Sequence, residues 1–208
     1  MRVKSFLAMA ACALALAASI SCDSGASVTN DELAVIETNY GRVILDFFPQ
    51  EAPKHVARFK ELVRTGFYDG IRLHRIVKNQ GGKPVAVQGG DPSTRNPDRT
   101  TWGSGESGLS PVAAERSPRL KHTRGMVSAA RKPNDPDSFT SQFFILSAAE
   151  PALDNEYSVF GRVIEGMNVV DTIVAAPTFR GTEQPMDAVV VNKTYLISKD
   201  DLKTLDRP

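Results

Sequence analysis

Three short segments hold the residues whose types and spacing suit chemistry: Leu73-His74-Arg75-Ile76, Val87-Gln88-Gly89-Gly90-Asp91-Pro92 and Ser141-Gln142-Phe143-Phe144-Ile145. Each sets one polar side chain inside an apolar, β-type run. No nucleophile stands beside a base. None of His55, His74 and His122 has a partner at metal-ligand spacing, so no metal site is expected. Gly89-Gly90 lacks the lysine and the spacing of a phosphate-binding loop. One fixed cation, one neutral amide and an apolar wall suit a reaction without a covalent intermediate. Rotation about an X-Pro peptide bond is such a reaction. Its barrier, about 18–20 kcal/mol, comes from C–N double-bond character. The two planar states of an X-Pro bond differ by only about 1 kcal/mol, so the obstacle is kinetic. Catalysis then means favouring the twisted state over both planar ones. In that state the proline nitrogen regains a lone pair, which a guanidinium can stabilise in a site that excludes water. Arginine suits this better than lysine, because its planar fork is directional and never deprotonates.

The elements that must position these residues are mostly short strands. Residues 33–38 and 42–48 read as strands around Asn39-Tyr40-Gly41, a hairpin signal. Ala52-Pro53 opens a helix whose Val56, Phe59, Leu62 and Val63 share one face, and Gly66 closes it. Residues 71–77 and 85–88 look like paired strands joined by the polar loop 78–84. Residues 92–118 form a Gly/Pro/Ser/Thr-rich loop in which Trp102 reads as a packing anchor. Further strands are expected at 126–130, 142–146, 157–163 and 188–197, with a second short helix at 167–174. Many short strands, long loops and two helices indicate a mainly β fold, an antiparallel barrel or sandwich.

From residue 33 to residue 197 the chain resembles the cyclophilin family of peptidyl-prolyl cis-trans isomerases. The motifs that carry the resemblance are the three segments above, together with Ala152-Leu153-Asp154, Leu120-Lys121-His122-Thr123-Arg124-Gly125 and Val159-Phe160-Gly161-Arg162-Val163. The resemblance implies a closed eight-stranded antiparallel β-barrel capped by two α-helices, with its groove on the outer surface. It makes Arg75 and Gln88 the catalytic residues. Substrate contacts fall on His74, Val85, Ala130, Arg131, Gln142, Phe144, Leu153 and Tyr157. His74 would pack or hydrogen-bond rather than act as an acid or base. Ala130 and Arg131 would offer backbone, and Phe144 and Leu153 would hold the proline ring. Val85, Ala86 and Ala129 stand where the family carries larger side chains, which thins the apolar wall, and Phe139 is the candidate to fill it. Ala152 replaces a tryptophan that holds cyclosporin in many members, so weak binding of that drug is expected. No cofactor is implied, since no group is exchanged. The expected partners are proline-containing polypeptides. The thinned wall also suits a second reading, a non-catalytic chaperone or proline-peptide module.

The ends of the chain set the expected location. Met1-Arg2-Val3-Lys4 and the apolar run 6–20 follow the pattern of a secretory signal, and the run is short for a membrane span. Ser19-Ile20-Ser21-Cys22 resembles a bacterial lipobox, with Ser19 where leucine is preferred. The only cysteines are Cys12 and Cys22, so the body of the chain has none for a disulfide. The expected organisation is a signal peptide at 1–21, lipidated Cys22 and a polar tether to residue 31, an isomerase domain at 32–199 and a tail at 200–208. Of the 25 Lys and Arg, Arg2 and Lys4 leave with the signal, against 24 Asp and Glu. That balance gives no field for nucleic acid, so lipid rather than charge would hold the protein at a membrane. An extracytoplasmic monomer is expected.

Overall fold

In a computed structural model, residues 31–103 and 107–204 of the 208-residue chain are described. The segment expected to be a signal peptide, Cys22, most of the expected tether and the last four residues lie outside them. Eight strands form one antiparallel sheet: β1 (Glu32–Thr38), β2 (Gly41–Phe47), β3 (Arg75–Lys78), β4 (Pro84–Gly89), β5 (Met126–Ala129), β6 (Phe143–Leu146), β7 (Val159–Glu165) and β8 (Val191–Ser198). Their order is β3-β4-β6-β5-β7-β2-β1-β8. Register shifts at Glu37/Thr38, Ile44/Leu45, Val77/Lys78 and Val127/Ser128 bend the strands and curl the sheet.

The sheet does not close, in contrast to the barrel expected from the resemblance. It is a curled half-barrel in which β3 and β8 share no ladder. Residues 71–73, which were expected to extend the third strand, lie outside it. They pair instead with 189–191: Leu73 N donates to Val189 O at 2.9 Å, Val191 N donates to Ile71 O at 2.9 Å, and Arg72 and Val190 make an isolated bridge. That leaves β3 only four residues long. Its outer edge meets a loop rather than a strand, since Ile76 N donates to Glu183 O at 2.7 Å.

Alternation along the strands divides the side chains between two faces. Ile76, Val87, Val127, Phe143, Ile145 and Phe160 enter the interior, with Phe59 of helix α1 (Pro53–Arg64) among them. Phe59 meets Tyr68, Phe143 and Phe160 at centroid distances of 5.1, 5.2 and 5.2 Å. Pro53 starts α1 with φ already helical. Ala52 offers no cap, so the Glu115 carboxylate accepts the amides of Lys54 and His55 at 3.1 and 3.0 Å. Helix α2 (Met167–Val174) buries Val170, Ile173 and Val174 against the same interior. Phe139 also points inward, stacking on His55 at 4.8 Å, so it does not supply the groove wall expected of it.

Gly90 shows how closely the site strands approach. At φ +93°, a Cβ there would lie 2.3 Å from Ser141 O and 2.7 Å from Gln142 Cα. Left-handed strain and overpacking against backbone act together. Gly90→Ala is therefore expected to lower stability by about 2–4 kcal/mol, read from urea unfolding midpoints.

Candidate active site

The outward-facing residues of β3, β4 and β6 form a row. Arg75 pairs with Gln88 across β3–β4, and Gln88 pairs with Phe144 across β4–β6. Arg75 Nη1 donates to Gln88 Oε1 at 3.2 Å, and Gln88 Nε2 donates to Gln142 Oε1 at 2.9 Å. The two amides thus form a chain whose direction presents an acceptor to the guanidinium. The Arg75 side chain is 46% exposed, and it lies on a groove of about 800 Å³. Gln88, Ala130, Arg131, Gln142 and Tyr157 line the same groove.

The apolar wall is built from a second cluster on the outer face. Ala86, Phe144 and Leu146 form its buried part, with Val77, Met126, Ala130, Leu153 and Tyr157 packed against it. Phe144 meets the Tyr157 ring edge-on at 5.5 Å, and the Arg131 guanidinium covers the other ring at 4.7 Å. Such contacts fix ring orientation as well as burying area. Leu153 ends a single 3-10 turn, Pro151–Leu153. The next residue, Asp154, accepts His122 N at 2.8 Å and lies 3.1 Å from His122 Nδ1. His122 in turn stacks on Phe144 at 6.3 Å. His122 and Asp154 therefore tie the Leu153 turn to the Phe144 ring. Their separation of 32 residues hid this from a motif reading.

Val85 is not brought into this wall. It is buried, but it belongs neither to the Phe144 cluster nor to the interior cluster that holds Val87, and the register shift between β3 and β4 falls at its position. Ala86, its neighbour, is the residue that reaches the cluster.

His74 lies beneath the groove rather than in it. It is 3% exposed, and neither ring nitrogen meets a hydrogen-bond partner among the described residues. Asp91, fully buried, accepts Ser93 N at 2.8 Å and Gly103 N at 2.6 Å. This folds the loop after β4 back so that Gly103 covers the ring. Trp102 anchors that loop, donating from Nε1 to Asn96 O at 2.9 Å. Burial pushes the His74 pKa down to about 4, with the Asp91 charge opposing the shift. A neutral ring fits a packing role.

Glu183 was missed entirely in the sequence. Its Oε2 lies 2.6 Å from Arg75 Nε, and its Oε1 accepts Lys78 N at 3.0 Å. Among the described residues no group of His, Cys, Asp and Glu is placed to hold a metal ion.

The family model described as "Cyclophilin type peptidyl-prolyl cis-trans isomerase/CLD" matches residues 33–196. The chain belongs to this family. A probable peptidyl-prolyl cis-trans isomerase of Brucella abortus is 38% identical over 170 residues, covering 77% of this chain and 83% of the relative. Peptidyl-prolyl cis-trans isomerase-like 2 of Gibberella zeae is 32% identical over 169 residues, and there the match spans 79% of this chain but 26% of the relative. Among solved structures, a cyclophilin-type isomerase of Cryptosporidium parvum, crystallised in the presence of the dipeptide Ala-Pro, superimposes with a TM-score of 0.69 at 30% identity. That match covers 80% of this chain and 99% of the other. Cyclophilin membership agrees with an eight-stranded sheet, two helices and a groove on the outer surface.

The buried histidine makes the stability of this cyclophilin depend on pH. The folded pKa of His74 lies below the ordinary 6.5, so the unfolded chain binds the proton first. Its contribution is complete above about pH 6.5 and is lost as pH falls toward 4, at up to about 1.4 kcal/mol per unit. His55 and His122 are also pushed down, chiefly by burial, and act in the same direction. Urea unfolding between pH 7 and 4 is expected to show a shallower decline for His74→Phe than for the parent, with the difference reaching about 3 kcal/mol.

Proposed function

We propose that this cyclophilin isomerises X-Pro bonds by a non-covalent, electrostatic mechanism centred on Arg75. The observation that carries this reading is the row Arg75–Gln88–Phe144, which sets a half-exposed guanidinium beside an apolar wall. The proline ring would sit against Phe144 and Leu153, buried without charge. Ala130 and Arg131 would hold the preceding backbone. With the ring held, the residue before proline rotates. As conjugation is lost, the nitrogen lone pair develops within reach of Arg75. Gln88 limits the motion of the guanidinium, so little reorganisation is needed when charge shifts. Stabilisation is selective, because a planar amide has no such lone pair to offer. The Ala-Pro dipeptide used with the Cryptosporidium parvum relative supports a proline-containing ligand.

We also propose that the protein works outside the cytoplasm, as a lipid-anchored monomer acting on exported proteins. The support is sequence alone: the apolar leader, Cys22 at its end and the polar tether that follows. A non-catalytic peptide-binding module is the second reading, favoured by Ala86, which leaves the wall thin.

Two experiments test these readings. Exchange NMR on a short Ala-Pro peptide is expected to show acceleration of cis–trans exchange by the full chain, and at least a tenfold smaller kcat/KM for Arg75→Ala, of order 1.4 kcal/mol in the barrier. A folded parent that binds the peptide without accelerating it would favour the binding module. Labelled palmitate is expected to enter the parent expressed in a bacterial host and not Cys22→Ser; equal labelling of both would remove the anchor.

A further inference from the structure

We infer that Glu183 is a positioning residue for Arg75, holding the guanidinium from its Nε side so that its terminal nitrogens face the groove. This rests on the reading of Arg75 as the electrostatic catalyst.

The geometry separates this contact from an ordinary surface ion pair. Glu183 meets three residues of β3. Its Oε2 is 2.6 Å from Arg75 Nε, its backbone carbonyl accepts Ile76 N at 2.7 Å, and its Oε1 accepts Lys78 N at 3.0 Å. The carboxylate is therefore fixed by backbone before it meets the arginine, and it costs little further ordering. The loop that carries it is also held. Gln184 Nε2 donates to Arg99 O at 3.1 Å, while Arg99 Nη1 and Nη2 donate to Pro185 O and Met186 O at 2.6 and 3.0 Å. The Arg99 guanidinium lies over Trp102 at 4.7 Å and over Phe179 at 5.1 Å. This clamp joins the 178–186 loop to the loop that covers His74.

The consequence for Arg75 follows from its donors. Arginine has five N–H donors in a rigid fork. Glu183 takes the one on Nε and Gln88 takes one on Nη1. Nη2 meets no partner among the described residues, and the side chain borders the groove. Two contacts on different nitrogens fix both the position and the plane of the guanidinium. With Gln88 alone, the plane could swing about a single hydrogen bond. A half-exposed arginine has many rotamers, so losing one of its two restraints dilutes the productive pose by roughly tenfold.

The test is a double-mutant cycle in the full chain, using exchange NMR on an Ala-Pro peptide. Glu183→Ala is expected to lower kcat/KM by roughly tenfold, with the peptide Kd within about twofold of the parent and the Arg75 Nε–H resonance losing its protection from exchange. In an Arg75→Ala background the same change is expected to alter the rate by less than about twofold, because Glu183 would have nothing left to position. Glu183→Gln offers one acceptor to two donors and should fall between parent and Glu183→Ala. It carries the same comparison if the alanine variant fails to fold. Full activity in Glu183→Ala would overturn the inference. So would an equal loss in both backgrounds, which would make Glu183 a brace for the loop only. A parent as slow as Arg75→Ala would bring down the isomerase reading itself, and this inference with it.

Discussion

The groove depends on one close backbone approach. At Gly89 a Cβ would meet the Leu73 side chain at 2.3 Å, and at Gly90 it would meet the backbone of Ser141. At Gly89 the Leu73 side chain would have to move aside, whereas at Gly90 only a residue without a side chain lets β4 settle against the segment before β6. That approach selects the register. A strand has a period of two, so a slip by one residue would turn Gln88 inward and send Val87 to the groove. The amide chain from Arg75 to Gln142 would be lost with it. The functional row thus depends on Gly90, a residue that contributes no functional group.

From that register the two faces of the sheet take separate tasks. The interior is filled by aromatic rings gathered around Phe59, which gives the strands a stiff backing. The outer face carries a smaller apolar cluster whose rings are held on their faces by polar groups, Arg131 over Tyr157 and His122, tied to Asp154, stacked on Phe144. Burial alone would leave such a thin wall free to repack. The polar groups at its rim limit the positions open to each ring. The small side chain of Ala86 then leaves space without leaving looseness, whereas Ala129, expected in that wall, belongs to the interior cluster.

Legibility in the sequence followed chain distance. Arg75, Gln88, Gln142 and Phe144 sit in contiguous motifs, and the strands carrying them alternate clearly, so their meeting on one face could be read in advance. Helix α1 was equally plain, because Pro53, the apolar stripe and Gly66 all lie within one short window. Val85 lies outside the Phe144 cluster, and a count back from Gln88 says nothing of which face a residue takes across a register shift at Val77/Lys78. Closure of the barrel was misjudged because it turns on a ladder between β3 and β8, elements distant in the chain whose flanking segments meet only through the Arg72–Val190 bridge and its neighbouring hydrogen bonds. Glu183 could not be found at all. It is an acidic residue in a Gly/Thr/Gln/Pro loop, 108 residues from Arg75, and no periodicity marks it. The partners of a motif residue are set by the fold, whereas the motif itself is written in order.

The open seam gives the 178–186 loop one more consequence. A strand edge with unpaired amides is a template for a second chain, and β3 is such an edge. Here the carbonyl of Glu183 takes the amide of Ile76, and its carboxylate takes the amide of Lys78. The loop therefore covers that edge. A protease nick near Arg180 or Gly181 would unmask a short strand edge beside the groove. The first sign of such damage would be oligomers joined edge to edge, formed while the aromatic interior is still intact.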